Sequence, residues 1–255
     1  MDLQIFGGSG AGSGRKTGGG GRSNASETVN TPSGINYEQL MKMSIEERYD
    51  TIAKIIGSRK IKVPDYLDNS KTTKLIYALG MNEKPKVVSD AKLDKVEGTD
   101  LYRCVHDSEK PVVTSKEILN EIRTADYTRL SGKKTSLMGK ALYFASNFLD
   151  SVRYAKGPSS LIMRAKINPN AKMMEEREIR KTVKHDTEFQ KRKLDKDVFE
   201  SSSLYAIAHG LDAWYSKQAG YYMIVNRGVL TISSSNKKAL NENGYANSWA
   251  SSQDA

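Results

Sequence analysis

The sequence predicts an α+β fold, and three observations carry that prediction. From residue 86 onward, short apolar runs of strand length alternate with stretches of helix length. Several of the helical stretches open on capping side chains, Ser44 and Thr114 among them. Residues 139–155 pass from a glycine-introduced apolar run into a helical repeat within a few positions. At 255 residues the chain is long enough for one good core, or one core plus a small helical domain.

Residues 1–34 are dominated after Phe6 by Gly, Ser, Arg and Lys, a composition that buries too little apolar surface to offset its ordering entropy. A disordered leader is predicted there. Its opening, Leu3-Gln4-Ile5-Phe6 ahead of a Gly/Ser tract, resembles the beginnings of tailed-phage head and head-associated proteins. That resemblance implies a phage gene product made in a bacterial host cytoplasm, or packaged in the virion.

Residues 35–85 read as a small helical region. Ser44-Ile45-Glu46-Glu47 is a capping box, and Ile45, Tyr49, Ile52, Ala53 and Ile56 mark one apolar face that Gly57 closes. Pro64 interrupts, and a second helix is predicted from about Ser70 to Leu79, stopped by Gly80. Residues 86–232 then form the mixed domain. Strands are predicted at 86–89 and 100–105, and a capped helix at 114–125. Residues 126–138 read as a loop, whose position would suit a lid and whose lysines and serines equally suit a plain solvated connection. The run Ala141–Ala145 is a strand, and Phe148, Val152 and Ala155 mark the face of a helix whose N-cap is Asn147 or Ser146.

Residues 160–167 form another strand, ended by Asn168-Pro169-Asn170. The charged stretch 174–197 reads as an exposed helix laced with ion pairs, or an insertion, without chemistry of its own. Leu204–Gly210 is a short apolar helix. Tyr221–Val225 and Val229–Ile232, around Asn226-Arg227-Gly228, read as a hairpin. Residues 233–255 are expected to be a flexible tail.

Composition removes several classes of function. Cys104 is the only cysteine, which excludes an intramolecular disulfide and any cysteine-based metal cluster. His106, His185 and His209 lack ligand spacing, so no metal is expected. No apolar run approaches the ~18 residues of a membrane span, and the first residues lack the apolar run of a signal peptide. The net charge of +10 suits nucleic acid, an acidic protein surface or an anionic cofactor alike.

The stretch Gly139-Lys140-Ala141-Leu142-Tyr143-Phe144-Ala145, with Ser151 and Tyr154 following, resembles the nicotinamide-pocket segment of ADP-ribosyltransferases of the poly-ADP-ribose polymerase and diphtheria-toxin branch. The resemblance implies a split mixed or antiparallel sheet with flanking helices and NAD, as substrate, in a cleft between the half-sheets. It assigns Tyr143 and Tyr154 to stacking on nicotinamide and Ser151 to its amide. Arg103, in Leu-Tyr-Arg-Cys-Val, stands where toxin-like members carry an arginine on the first pocket strand, and the Cys104 backbone would hold the amide. Arg103 and Tyr143 are the implied catalytic residues.

Active members carry a glutamate at the start of the penultimate strand, where this chain has Gly220 or Tyr221, and neither supplies a negative charge at neutral pH. Gln218 would replace part of its hydrogen bonding. The leading expectation is an NAD-dependent ADP-ribosyltransferase acting on a host protein or nucleic acid. A degenerate NAD- or ADP-ribose-binding module associated with phage head proteins is the first alternative. A basic nucleic-acid-binding protein is the second, although no recognisable nucleic-acid-binding motif is present.

Overall fold

The computed structural model describes residues 31–63, 70–81, 83–109, 112–124, 142–194 and 197–240. Most of the predicted leader, the lid segment 126–138, Gly139 to Ala141 and the end of the tail therefore lie outside the described residues. The architecture is α+β. In chain order the elements are α1 (Tyr37–Met41), α2 (Ile45–Gly57), α3 (Lys71–Ala78), β1 (Lys86–Val88), α4 (Asp90–Leu93), β2 (Thr99–Val105), β3 (Ser108–Glu109) and β4 (Val112–Val113). There follow α5 (Ser115–Thr124), β5 (Leu142–Ala145), α6 (Phe148–Val152), β6 (Leu161–Ile167), β7 (Met173–Glu175), α7 (Glu176–His185) and α8 (Thr187–Lys191). The described chain closes with α9 (Val198–Ala208), β8 (Ala213–Ser216), β9 (Tyr221–Ile224), a 3-10 turn over Arg227–Val229 and β10 (Leu230–Lys238).

The helices start where their capping side chains stand. Ser44 and Glu47 exchange side-chain and backbone hydrogen bonds to open α2, Ser70 caps α3, and Thr114 and Glu117 repeat the reciprocal pattern at α5.

Eight strands form one mixed sheet in the order β1-β10-β6-β2-β5-β9-β8-β7. Each outer edge is a parallel pair, β1 with β10 and β7 with β8, and the strands between run antiparallel. At the centre β2 and β5 share the single registered pair Tyr102↔Ala145. Elsewhere the ladders are longer: β2 pairs with β6 over seven registered positions and β5 with β9 over four. The β2–β5 join, with its one registered pair, lies between two four-stranded halves of this one sheet.

Three sequence expectations are corrected, and the ion-paired helix expected of the charged stretch is found with a buried face. The predicted hairpin does not form, because β9 pairs with β5 and β8 in one half-sheet while β10 pairs with β1 and β6 in the other. The Asn226 side chain accepts from the Gly228 N–H, and its backbone N–H donates to the Asp212 carbonyl. These bonds steer the chain across the sheet instead of back along β9. The tail is ordered further than its polarity suggests. β10 continues to Lys238 beside β6, and Ser233 and Ala239 are fully buried. Backbone pairing to β6 supplies what those polar side chains cannot.

The charged stretch is structural. It contains β7, α7 and α8, with Ile179, Val183, Phe189 and Leu194 buried, while Glu176–Arg180 and Glu188–Arg192 pair one turn apart. The short apolar helix is longer than expected. α9 begins at Val198, since Ser201 and Ser202 donate to carbonyls four residues back and Ser203 accepts from the Trp214 indole, so the serine run can be buried.

One hydrophobic cluster runs through the helical region and the sheet, joining Leu40, Ile52 and Leu75 to Leu204, Trp214 and Ile232. A polar cluster ties the same junction. Tyr49 on α2 donates to the Asp186 carboxylate (2.6 Å), and the His209 Nε2 lies 2.6 Å from the same hydroxyl. With its proton committed to Asp186, the Tyr49 oxygen accepts from His209. Arg48 reaches the carbonyls of Met41, Met43 and Ala208.

Acid is expected to loosen this junction. Burial holds the His209 pKa below its ordinary value, against the pull of Asp186 and with help from Arg48. The unfolded chain therefore takes up this proton at higher pH than the folded chain. The contribution is complete above about pH 6.5 and is lost as the pH falls below it. Urea unfolding at about pH 7.5 and 5.5 should show a stability loss on acidification that shrinks in His209→Gln; an identical loss in both proteins would clear His209 of the effect.

Candidate functional site

The β5–α6 junction stands beside the β2–β5 join. Asn147 caps α6 by accepting from the Asp150 N–H (2.8 Å), and the helix ends after Val152, one turn short of the predicted Ala155. This early stop places Tyr154 on an exposed turn while Ser151 stays in the helix, buried. A cavity of about 390 Å³ opens here, between β2, β5 and the turn after α6. Arg103, Cys104, Tyr143, Ser151 and Tyr154 all border it.

The pocket groups are engaged with one another. The Tyr143 and Tyr154 hydroxyls lie 2.9 Å apart, and their rings meet edge to face at 5.5 Å and 65°. A flat ring held between two others needs roughly 7 Å of separation, twice the ~3.5 Å contact distance. Tyr154 is 52 % exposed, so a swing of that side chain is the available route to such a sandwich. Burial first, and the bond to Tyr154 next, raise the pKa of the Tyr143 hydroxyl. The Ser151 hydroxyl donates to the Phe148 carbonyl (2.7 Å), so an amide ligand would have to compete with that bond or use the oxygen's free lone pair.

Arg103 reaches from β2 to β5. Its Nη1 donates to the Tyr143 carbonyl oxygen (2.6 Å), joining the half-sheets one residue from their single registered pair. Its buried Nε has no hydrogen-bond partner among the described residues. Burial pushes the guanidinium down to about 10, which leaves it charged at neutral pH. The neighbouring Cys104 thiol is pushed up to about 11 by burial, against the pull of Arg103, and is therefore not a thiolate nucleophile at pH 7.

The cavity lining is cationic. Beside Arg103 stand His106, Arg153 and Lys156, and among the described residues no carboxylate borders it. The structure does not bring Gln218 there. It lies in the turn between β8 and β9 and accepts from the Arg177 guanidinium on α7.

Two acidic groups near the cavity, Asp150 and Glu176, escaped the sequence reading. Gly220, at φ +66°, closes the turn into β9, and a side chain there would begin 3.1 Å from the Ser146 Oγ and 3.2 Å from an Asp150 carboxylate oxygen. The Asp150 carboxylate thus stands in the space a residue-220 side chain would occupy. It pairs with Arg153 at 3.3 Å and borders a wider groove of about 920 Å³ that shares Tyr102 and Arg153 with the cavity. The buried Tyr221 hydroxyl has no hydrogen-bond partner among the described residues. Burial and then the nearby Glu176 raise its pKa. The Asn147-x-x-Asp150 spacing signals a helix start, which hid Asp150 behind an ordinary structural role. Nothing local in the sequence joins Glu176 to Tyr221.

No protein-family model, curated protein or solved structure matches this chain.

Proposed function

We propose that the chain is an ADP-ribosyltransferase-like protein of phage origin that binds NAD at the split and transfers ADP-ribose to a host protein or nucleic acid. One observation carries the reading: Arg103, Cys104, Tyr143, Ser151 and Tyr154, distant in sequence, border one cavity whose lining combines aromatic hydroxyls with cations. Such a lining suits a ligand with a flat ring at one end and negative charge at the other, and NAD is of that kind. The single registered pair between the half-sheets supports a split-sheet fold of the ADP-ribosyltransferase type.

In the transfer, the bond between the ribose anomeric carbon and the nicotinamide nitrogen breaks, and the bonding pair leaves with nicotinamide. Positive charge collects on the ribose ring until the acceptor's nucleophile bonds to the anomeric carbon and releases its proton. A carboxylate facing the ring stabilises that charge. We assign this role to Asp150, whose position against Gly220 sets it at the ends of β5 and β9 and whose charge reaches Tyr143.

Calorimetry with NAD, beside transfer of label from adenine-tagged NAD to host lysate, tests the reading. Wild type should bind and label, and Tyr154→Ala should weaken both. Asp150→Asn should keep NAD affinity within a few-fold and lose label transfer by about 10²–10³, the size seen when one transition-state-stabilising group is removed. No binding at millimolar NAD removes the reading. A second reading, an NAD-binding module without chemistry that accompanies phage head proteins, is favoured by the closed Tyr143–Tyr154 pair and by the absence of an acidic side chain at residue 220. It predicts binding without label.

A further inference from the structure

The cavity's four basic groups are not equivalent. Arg103 is committed to the Tyr143 carbonyl, and Arg153 is paired with Asp150. His106 and Lys156 remain, and among the described residues neither makes an ion pair or a side-chain hydrogen bond.

Both are held by their neighbours. The Lys156 N–H donates to the hydroxyl of Ser160 (2.7 Å), a residue with no exposed surface. Asp107, next to His106, accepts from the Ser115 N–H (2.7 Å), and the Ser115 hydroxyl donates to the Ser159 carbonyl (2.7 Å). The start of α5 therefore joins the segment carrying His106 to the segment carrying Lys156. Asp107 is the one carboxylate whose charge supports His106, and it is already bonded to that helix start. His106 and Lys156 border one cavity and the Lys156 charge acts on His106, so an anion bound between them turns that repulsion into attraction.

Resting on the NAD reading, we infer that His106 and Lys156 form a phosphate subsite at the cavity, which takes the diphosphate of the dinucleotide while Arg103 braces the sheet. Arg153 stays with Asp150 in this assignment.

Burial and Lys156 lower the pKa of free His106, and Asp107 opposes them. A bound phosphate raises it again, so binding takes up a proton and affinity increases as the pH falls through the histidine range. The diphosphate diester of NAD or ADP-ribose keeps its charge across that range, so the dependence belongs to the protein.

The test is calorimetry of the full chain with ADP-ribose and with nicotinamide, at about pH 6 and 8 and fixed ionic strength, with melting curves as a folding control. His106→Ala and Lys156→Ala should each weaken ADP-ribose about tenfold or more, the size of a lost charge-assisted hydrogen bond, and leave nicotinamide unchanged. Wild type should bind ADP-ribose more tightly at pH 6 than at pH 8, and His106→Ala should flatten that difference. Variants that melt as wild type and bind ADP-ribose within twofold of it overturn the subsite. Inorganic pyrophosphate separates the two claims. If wild type binds neither NAD nor nicotinamide but binds pyrophosphate through Lys156, the NAD reading fails and the phosphate site stands; if pyrophosphate also fails to bind, both fall.

Discussion

Arg103→Ala is expected to lower the stability of the fold and empty the cavity of ligand in one step. The halves of the sheet meet at Tyr102↔Ala145, and the bond from Arg103 to the Tyr143 carbonyl spans the gap beside that pair. Breaking it removes a hydrogen bond to a charged donor, worth about 1.5–3 kcal/mol, and leaves a carbonyl without its partner. Relief of the buried charge offsets part of this, because burial already presses the guanidinium toward its neutral form. A net loss of about 1–3 kcal/mol follows. NAD affinity should fall further than the melting temperature suggests, since Tyr143 loses the bond that holds its strand against β2. Arg103→Lys separates charge from reach: it keeps a cation but cannot present a planar fork, and should restore little of either property. A variant lacking the guanidinium that melts and binds as wild type would show that the halves are held elsewhere.

Trp214→Ala should produce the largest loss of stability. The indole has no exposed surface, its Nε1 donates to the Ser203 hydroxyl (3.1 Å), and its ring meets Tyr221 edge to face at 5.9 Å and Phe199 at 5.6 Å. Truncating a buried tryptophan costs about 3–5 kcal/mol through lost transfer energy and the cavity left behind. In a chain of this size that corresponds to a fall in Tm of about 10 °C or more. The damage should reach the site, since Tyr221 packs on both Trp214 and Tyr143, the latter at 5.5 Å. Ser203→Ala is the milder comparison. It leaves the indole N–H unsatisfied for about 1–3 kcal/mol while keeping the packing. Equal melting of Trp214→Ala and wild type would contradict this account of the core.

Local elements were legible because their causes are local. Ser44 and Glu47, or Thr114 and Glu117, lie within one helical turn of each other, so their spacing announces the helix that forms. Short strands such as 100–105 and 161–167 declare themselves by apolar composition alone. The edge strand Met173–Glu175 and its neighbour Ala213–Ser216 did not, being short and bordered by polar residues. Nor did the course of the chain after Val225. A tight-turn composition favours a hairpin until distant strands compete for the same backbone groups, and β6 and β1 offer β10 a longer ladder than β9 does.

The same division holds at the site. The sequence by itself determined which chemistry is present: a tyrosine pair eleven positions apart, a strand arginine, a single cysteine and no cysteine or histidine metal motif. Only the tertiary structure decided how those groups are used. It commits Arg103 to a carbonyl on the neighbouring strand β5, closes Tyr143 on Tyr154, sets Asp150 against Gly220, and leaves His106 and Lys156 bordering one cavity. The physical reason is that these meetings depend on where two half-sheets stop pairing. That point follows from the summed competition of every strand for backbone partners, which no single stretch of residues encodes.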